Sequence, residues 1–174
     1  GVIFWLKYKN GTWHEQEPLK RNGGDVRVET LAVPCLAPLD PERKLDLIVG
    51  DSSGYLWWFE NQSIQPETLV FGPGMRLESA GVTIHHLAGS KGSIQGPNEA
   101  RWGYLNPLVI DWDDNGLNDV ITNDITGNYI WYRNISSEKK PQFAAPTYLY
   151  HDGKPLRGAW RSRPASWGTG KLVL

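Results

Sequence analysis

Residues 111–119 read Asp111-Trp112-Asp113-Asp114-Asn115-Gly116-Leu117-Asn118-Asp119, a D-x-D-x-N-G-x-x-D pattern. Alternate residues Asp111, Asp113 and Asn115 can turn their side-chain oxygens to one side. Gly116 lets the backbone bend sharply. The carbonyl of Leu117 can add a fourth oxygen, and Asp119 closes the set. This is the chemistry of a hard cation, since Ca²⁺ takes about six to eight oxygens at about 2.3–2.6 Å. Gathering the same carboxylates without a cation costs repulsion and raises their pKa values. The alternative is a metal-free turn with hydrated acids. A bound ion would be structural, since it ties one loop together, whereas a catalytic metal needs open coordination and an acid or base nearby.

An EF-hand loop opens in a similar way. It also needs a Glu at its twelfth position, where this chain has Thr122, and a helix on each side. Here the flanks are Leu108-Val109-Ile110 and Val120-Ile121, which read as strands. The EF-hand is rejected.

The elements around the loop recur. Residues 45–61 and 118–134 align without a gap at a shift of 73. Asp46 falls on Asp119, Asp51 on Asp124, Gly54 on Gly127, Trp58 on Trp131 and Asn61 on Asn134, with Pro34 on Pro107 upstream. Fainter copies flank these. Gly1-Val2-Ile3-Phe4-Trp5-Leu6 matches residues 54–59 at a shift of 53, and Pro164 opens a copy 57 residues after Pro107. That last copy has a shortened loop without the acids.

Each copy has an apolar strand, a polar turn ending in Gly, and an aromatic strand. Gly54 and Gly127 stand where a hairpin needs positive φ. Short strands at periods of this kind, with no sustained helical period, predict an all-β chain of antiparallel β-propeller blades. A solenoid is the competitor. The expected division is the end of one blade over 1–30, a blade core over 31–62, a long insertion over 63–103, the calcium-loop blade over 104–150 and the start of another over 151–174. About three blades' worth is too little for a closed ring. The expectation is therefore a piece of a larger ring of six or more blades, from a longer chain or from several subunits, in which leftover end strands can pair.

With Val120-Ile121, the Gly127 turn and the strand Tyr129-Ile130-Trp131-Tyr132 behind it, the acidic pattern resembles the FG-GAP/VCBS repeat family. The resemblance covers most of 31–61 and 104–134. It implies Ca²⁺ held by Asp111, Asp113, Asn115, Leu117 and Asp119. The earlier copy departs from it, with Pro38, Asp40, Glu42, Arg43 and Asp46 at the matching positions. It lacks the first ligand and the glycine, and Arg43 and Lys44 offer positive charge in place of a metal. No calcium is assigned there.

The family includes integrin-type adhesion ectodomains, fungal lectins, polysaccharide lyases and glycosidases, and fold alone does not choose among them. The stretches 92–107 and Arg161-Ser162-Arg163-Pro164 resemble propellers of carbohydrate-active enzymes. These resemblances imply a secreted protein acting on glycans, as a lyase or glycosidase on uronic-acid polysaccharide. The alternative is a non-catalytic lectin or adhesion propeller, and a purely structural interaction domain is the third reading. A uronate lyase needs a cation for the carboxylate, a base for the C5 proton and an acid for the leaving oxygen. His85, His86, Arg101 and Tyr104 suit those catalytic roles, and Trp102, Arg161 and Arg163 suit substrate binding. His151 is a further polar candidate. Each has a plainer reading: an arginine in an ion pair, a solvated loop histidine, a tryptophan in blade packing.

Composition narrows the partners. In 174 residues, 18 basic and 19 acidic side chains leave a net charge of −1. That balance gives no electrostatic case for nucleic acid or an anionic membrane. No apolar run approaches the roughly 20 residues of a membrane span. The chain opens inside what reads as a strand, so its natural start is expected upstream. A lone cysteine, Cys35, permits no intrachain disulfide and reads as a small core residue. The nine tryptophans suggest repeated inter-sheet packing. Asn10, Asn61 and Asn134 open N-x-S/T sequons, the last two in what reads as an exposed turn after an aromatic strand.

Overall fold

A computed structural model describes residues 1–14, 17–40, 42, 44–64, 68–92, 97–159 and 161–174. These residues form an all-β protein of mainly antiparallel sheets, with short helical turns at Gly89–Gly92 and Pro97–Glu99. Arg43 and residues 93–96 lie outside the described residues.

Two four-stranded antiparallel sheets dominate. The first runs Val33–Ala37, Asp46–Gly50, Leu56–Phe59, Met75–Arg76, each strand beside the next in sequence. The second runs Asn106–Ile110, Asp119–Asn123, Tyr129–Tyr132, Thr147–Tyr148 in the same order. The first three strands of the two sheets are offset by the 73 residues that align the sequences. Register follows, since Pro34 faces Val49 as Pro107 faces Thr122. The second strands are buried along their whole length. Burial on both faces is why Leu47-Ile48-Val49 reads as a continuous apolar run rather than an alternation. Gly54 and Gly127 take φ of 81° and 78°, as their turns require.

The stretch expected as a long insertion does more than decorate. Its Met75–Arg76 pairs with the aromatic third strand, Met75 facing Trp58, and completes the first sheet. Behind each fourth strand a hairpin turns on two residues of positive φ, Ala80-Gly81 and Asp152-Gly153, and Asn10-Gly11 turns an N-terminal hairpin in the same way. This is type I′ geometry, whose twist matches the strands. One tether recurs at each copy: the N–H of Leu19 donates to Ile3, that of Leu77 to Leu56, and that of Leu149 to Tyr129, at 2.8, 2.9 and 2.9 Å.

One core lies between the two sheets, around Ile48, Leu56, Trp58, Leu105, Val120 and Tyr132. A second joins the N-terminal hairpins to the first sheet through Ile3, Leu19, Val26, Val49 and Phe71. The sheets approach at backbone distance. Gly103 N–H donates to Ser52 O at 2.9 Å, and a Cβ on Gly103 would fall 1.9 Å from His86 O.

Several expectations need correction. Cys35 is half-buried rather than a core residue. Trp58 is buried, but Trp13 and Trp167 are 65% and 80% exposed, so packing accounts for only part of the tryptophan content. Asn134 is 1% exposed and not in an open turn. Apart from these corrections, Phe4–Trp5 pairs with Glu17–Pro18, and Leu172–Val173 with Ala165–Ser166.

Candidate metal centre

The acidic loop joins the first two strands of the second sheet. Its own backbone organises the acids. The N–H groups of Asn115 and Gly116 donate to the two oxygens of Asp111 at 3.0 and 2.8 Å. Leu117 N–H donates to Asn115 Oδ1 at 2.8 Å, which fixes the turn. Asp119 Oδ2 accepts from Trp112 N–H at 3.1 Å, and its Oδ1 accepts from Asn134 N–H at 2.6 Å. Carboxylate oxygens of Asp111, Asp113 and Asp119 consequently lie within 4.8 Å of one another.

This cluster of carboxylates could hold a cation. Asp119 is fully buried, and burial pushes its carboxyl above the usual range. Hydrogen bonds from Asn134 and Trp112 oppose that shift, and Asp113 adds to it. Arg133 Nε donates to Asp113 Oδ2 at 2.5 Å. The other oxygen, Asp113 Oδ1, is buried and has no hydrogen-bond partner among the described residues. A buried acceptor left unmatched is costly, and a metal ion would satisfy it. The donors are all oxygen, which suits a hard divalent cation over zinc or copper. Asn115 is exposed at the loop tip. Leu117 lines an adjoining cleft of about 370 Å³ with Pro38, Asp40, Asp111 and Asn118.

The matching loop of the first sheet keeps the joint and loses the cluster. Asp46 Oδ1 accepts from Asn61 N–H at 2.8 Å, as Asp119 does from Asn134. Glu42 meets Lys139 and, at 3.8 Å, Lys44. Lysines there supply the positive charge. The rim charge follows suit: Arg133 beside the acidic cluster corresponds to Glu60 in the lysine-bearing copy. That reversal is the sequence signal by which Arg133 could have been found.

The other candidates separate into distinct places. His85 is exposed and stacks on Tyr55 at 4.0 Å, with Arg76 over the same ring at 3.8 Å. His86 sits between the sheets. Its Nδ1 lies 3.6 Å from Asp124 Oδ2, and its Nε2 lies 2.5 Å from the Tyr132 hydroxyl. Tyr132 stands where the first copy has Phe59, so this hydroxyl is peculiar to the second sheet. Trp102, Tyr104 and Arg161 come together. Trp102 stacks on Tyr104 at 5.9 Å, and the Arg161 guanidinium lies 3.7 Å over the Tyr104 ring and 3.3 Å from Glu99. Arg101 is exposed beside them. Arg163 lines a separate cleft with Phe4, Trp5 and Cys35. His151 is exposed next to Asp152.

No family model, curated protein or solved structure matches this chain.

Proposed function

We propose that the chain is part of a calcium-binding β-propeller of the FG-GAP/VCBS type that binds acidic glycans outside the cell. The observation that carries the metal is Asp113 Oδ1, without a hydrogen-bond partner among the described residues and set among three converging carboxylates. Ca²⁺ tolerates such an irregular oxygen set, whereas Mg²⁺ demands near-ideal octahedral geometry. Its role is structural, because Asp119 both faces the cluster and joins the loop to Asn134. Two four-stranded meanders in matching register, with pieces of similar plan on either side, support blades of a larger ring. Two stacked aromatic rings and an arginine gathered at Trp102, Tyr104 and Arg161 support the glycan reading.

Binding is favoured over cleavage. His86 is engaged by Asp124 and Tyr132. Burial pushes the Tyr132 hydroxyl well above its ordinary value, so it does not ionise to a base near neutral pH. The second reading, a polysaccharide lyase, rests on the short His86–Tyr132 contact as an acid–base pair.

Incubation with polyuronates, following ultraviolet absorbance of the unsaturated product beside calorimetric binding, separates the two. Binding without product supports the lectin-like reading. Product formation overturns it in favour of the lyase, and neither signal on any acidic glycan overturns both.

A further inference from the structure

Among the described residues, seven non-glycine residues have positive φ. Asn10, Ala80 and Asp152 are explained by their hairpin turns, and Asp114 belongs to the acidic loop. The remaining three are Leu31, Tyr104 and Arg161, with φ of 53°, 49° and 61°. They hold the same place in three copies, each three residues before a proline: Pro34, Pro107 and Pro164. All three line one cleft of about 250 Å³ with Ala32, Val33 and Asn106. Side chains of these types disfavour that backbone region, and such residues cluster at ligand sites held by the surrounding fold.

The cleft has a defined polarity. Leu31-Ala32-Val33 forms an apolar wall. The Arg161 guanidinium lies 3.7 Å over the Tyr104 ring and 3.3 Å from Glu99, and Trp102 stacks on the tyrosine. Asn106 Nδ2 donates to Tyr104 O at 2.8 Å and fixes that turn. A guanidinium oriented in this way is suited to a carboxylate, which it can bind through paired N–H donors. The volume of about 250 Å³ lies just below the roughly 300 Å³ at which ligand pockets usually begin, and suits one ring rather than a chain of sugars.

We propose that this cleft binds a single hexuronate unit, with Arg161 taking its carboxylate and the Leu31-Ala32-Val33 wall meeting its C–H face. The proposal rests on the glycan reading above and names the subsite within it.

Calorimetry or ligand-observed NMR with galacturonate and glucuronate, beside galactose and glucose, tests it. At least one uronate is expected to bind tenfold or more tightly than its neutral counterpart. Arg161→Gln is expected to weaken that uronate tenfold or more, and Lys9→Gln, at an exposed position of the N-terminal hairpin, to leave it unchanged. Leu31→Trp, which fills the cleft and leaves the charge in place, should also abolish binding, and circular dichroism reports whether each variant is folded. Equal uronate affinity in folded Arg161→Gln or folded Leu31→Trp overturns the proposal, as does equal binding of the neutral sugar. If polygalacturonate binds the parent protein and both variants alike, the cleft assignment fails and the glycan reading stands. If neither polygalacturonate nor any monosaccharide binds the parent protein, both fail.

Discussion

Arg133 Nε lies 2.5 Å from Asp113 Oδ2, so an internal cation already leans on the carboxylate cluster from the end of the neighbouring strand. The pair is only partly buried, with Arg133 49% exposed, so its worth is about 0.5–1 kcal/mol. A calcium ion drawn to the same acids must share Asp113 with this guanidinium. Arg133→Gln removes the competing charge and should tighten calcium about two- to fivefold by calorimetry. Weaker binding would mean that Arg133 positions Asp113 for the ion.

Two buried carboxyls should give opposite pH signatures. Burial pushes Asp46 above its ordinary 3.8, outweighing the hydrogen bonds from Asn61 and Leu39. The folded chain holds that proton more tightly, so the contribution of Asp46 is most favourable below 3.8 and declines as pH rises through the raised value. Burial acts in the same sense on Asp124, but contacts from His86 and Thr126 outweigh it and hold that carboxyl below 3.8. Its contribution is present above 3.8 and is lost as pH falls through the lowered value. Thermal melts in chelator against Asp46→Asn and Asp124→Asn check both signs. Acidification from neutral should move the parent-minus-variant difference in the parent's favour for Asp46→Asn, and should shrink it for Asp124→Asn at the acid end.

The closeness of the two sheets depends on Gly103. A methyl there would meet His86 O at 1.9 Å and Gly54 Cα at 2.4 Å, both backbone atoms that cannot swing aside. Gly103→Ala should cost about 3 kcal/mol, the upper end for overpacked sites. Gly81→Ala, with φ of 77° and no atom within 4 Å of its added methyl, should cost about 1 kcal/mol. Urea unfolding of the two variants measures the contrast, and equal costs would contradict a sheet contact at Gly103.

The strands and their order were legible because each copy states them twice. Leu47-Ile48-Val49 and Val120-Ile121 mark fully buried strands, and the glycines mark the turns between strands. The convergence of Asp111, Asp113 and Asp119 was legible from spacing, since a short loop leaves those side chains few other directions. Contacts between copies were not legible. Asn134 follows an aromatic strand and so reads as an exposed turn, but its Nδ2 donates to Leu39 O, in the loop after the first strand of the other sheet, and to Asn118 O, at 3.0 and 2.8 Å. Local sequence holds no record of which distant carbonyl covers a side chain. His86 reads as a loop residue for the same reason, although Asp124 and Tyr132 enclose it from the second sheet. The Leu31, Tyr104 and Arg161 positions carry no glycine to advertise their φ, so only the fold reveals them.

The acidic loop is proposed as a calcium site that holds the second sheet together. Calorimetric titration of chelator-treated protein with Ca²⁺, repeated on Asp113→Ala, tests it most directly. The account predicts saturable binding of one ion per chain, abolished in a folded Asp113→Ala variant. Absence of binding in the parent protein, or undiminished binding in that variant, would contradict it.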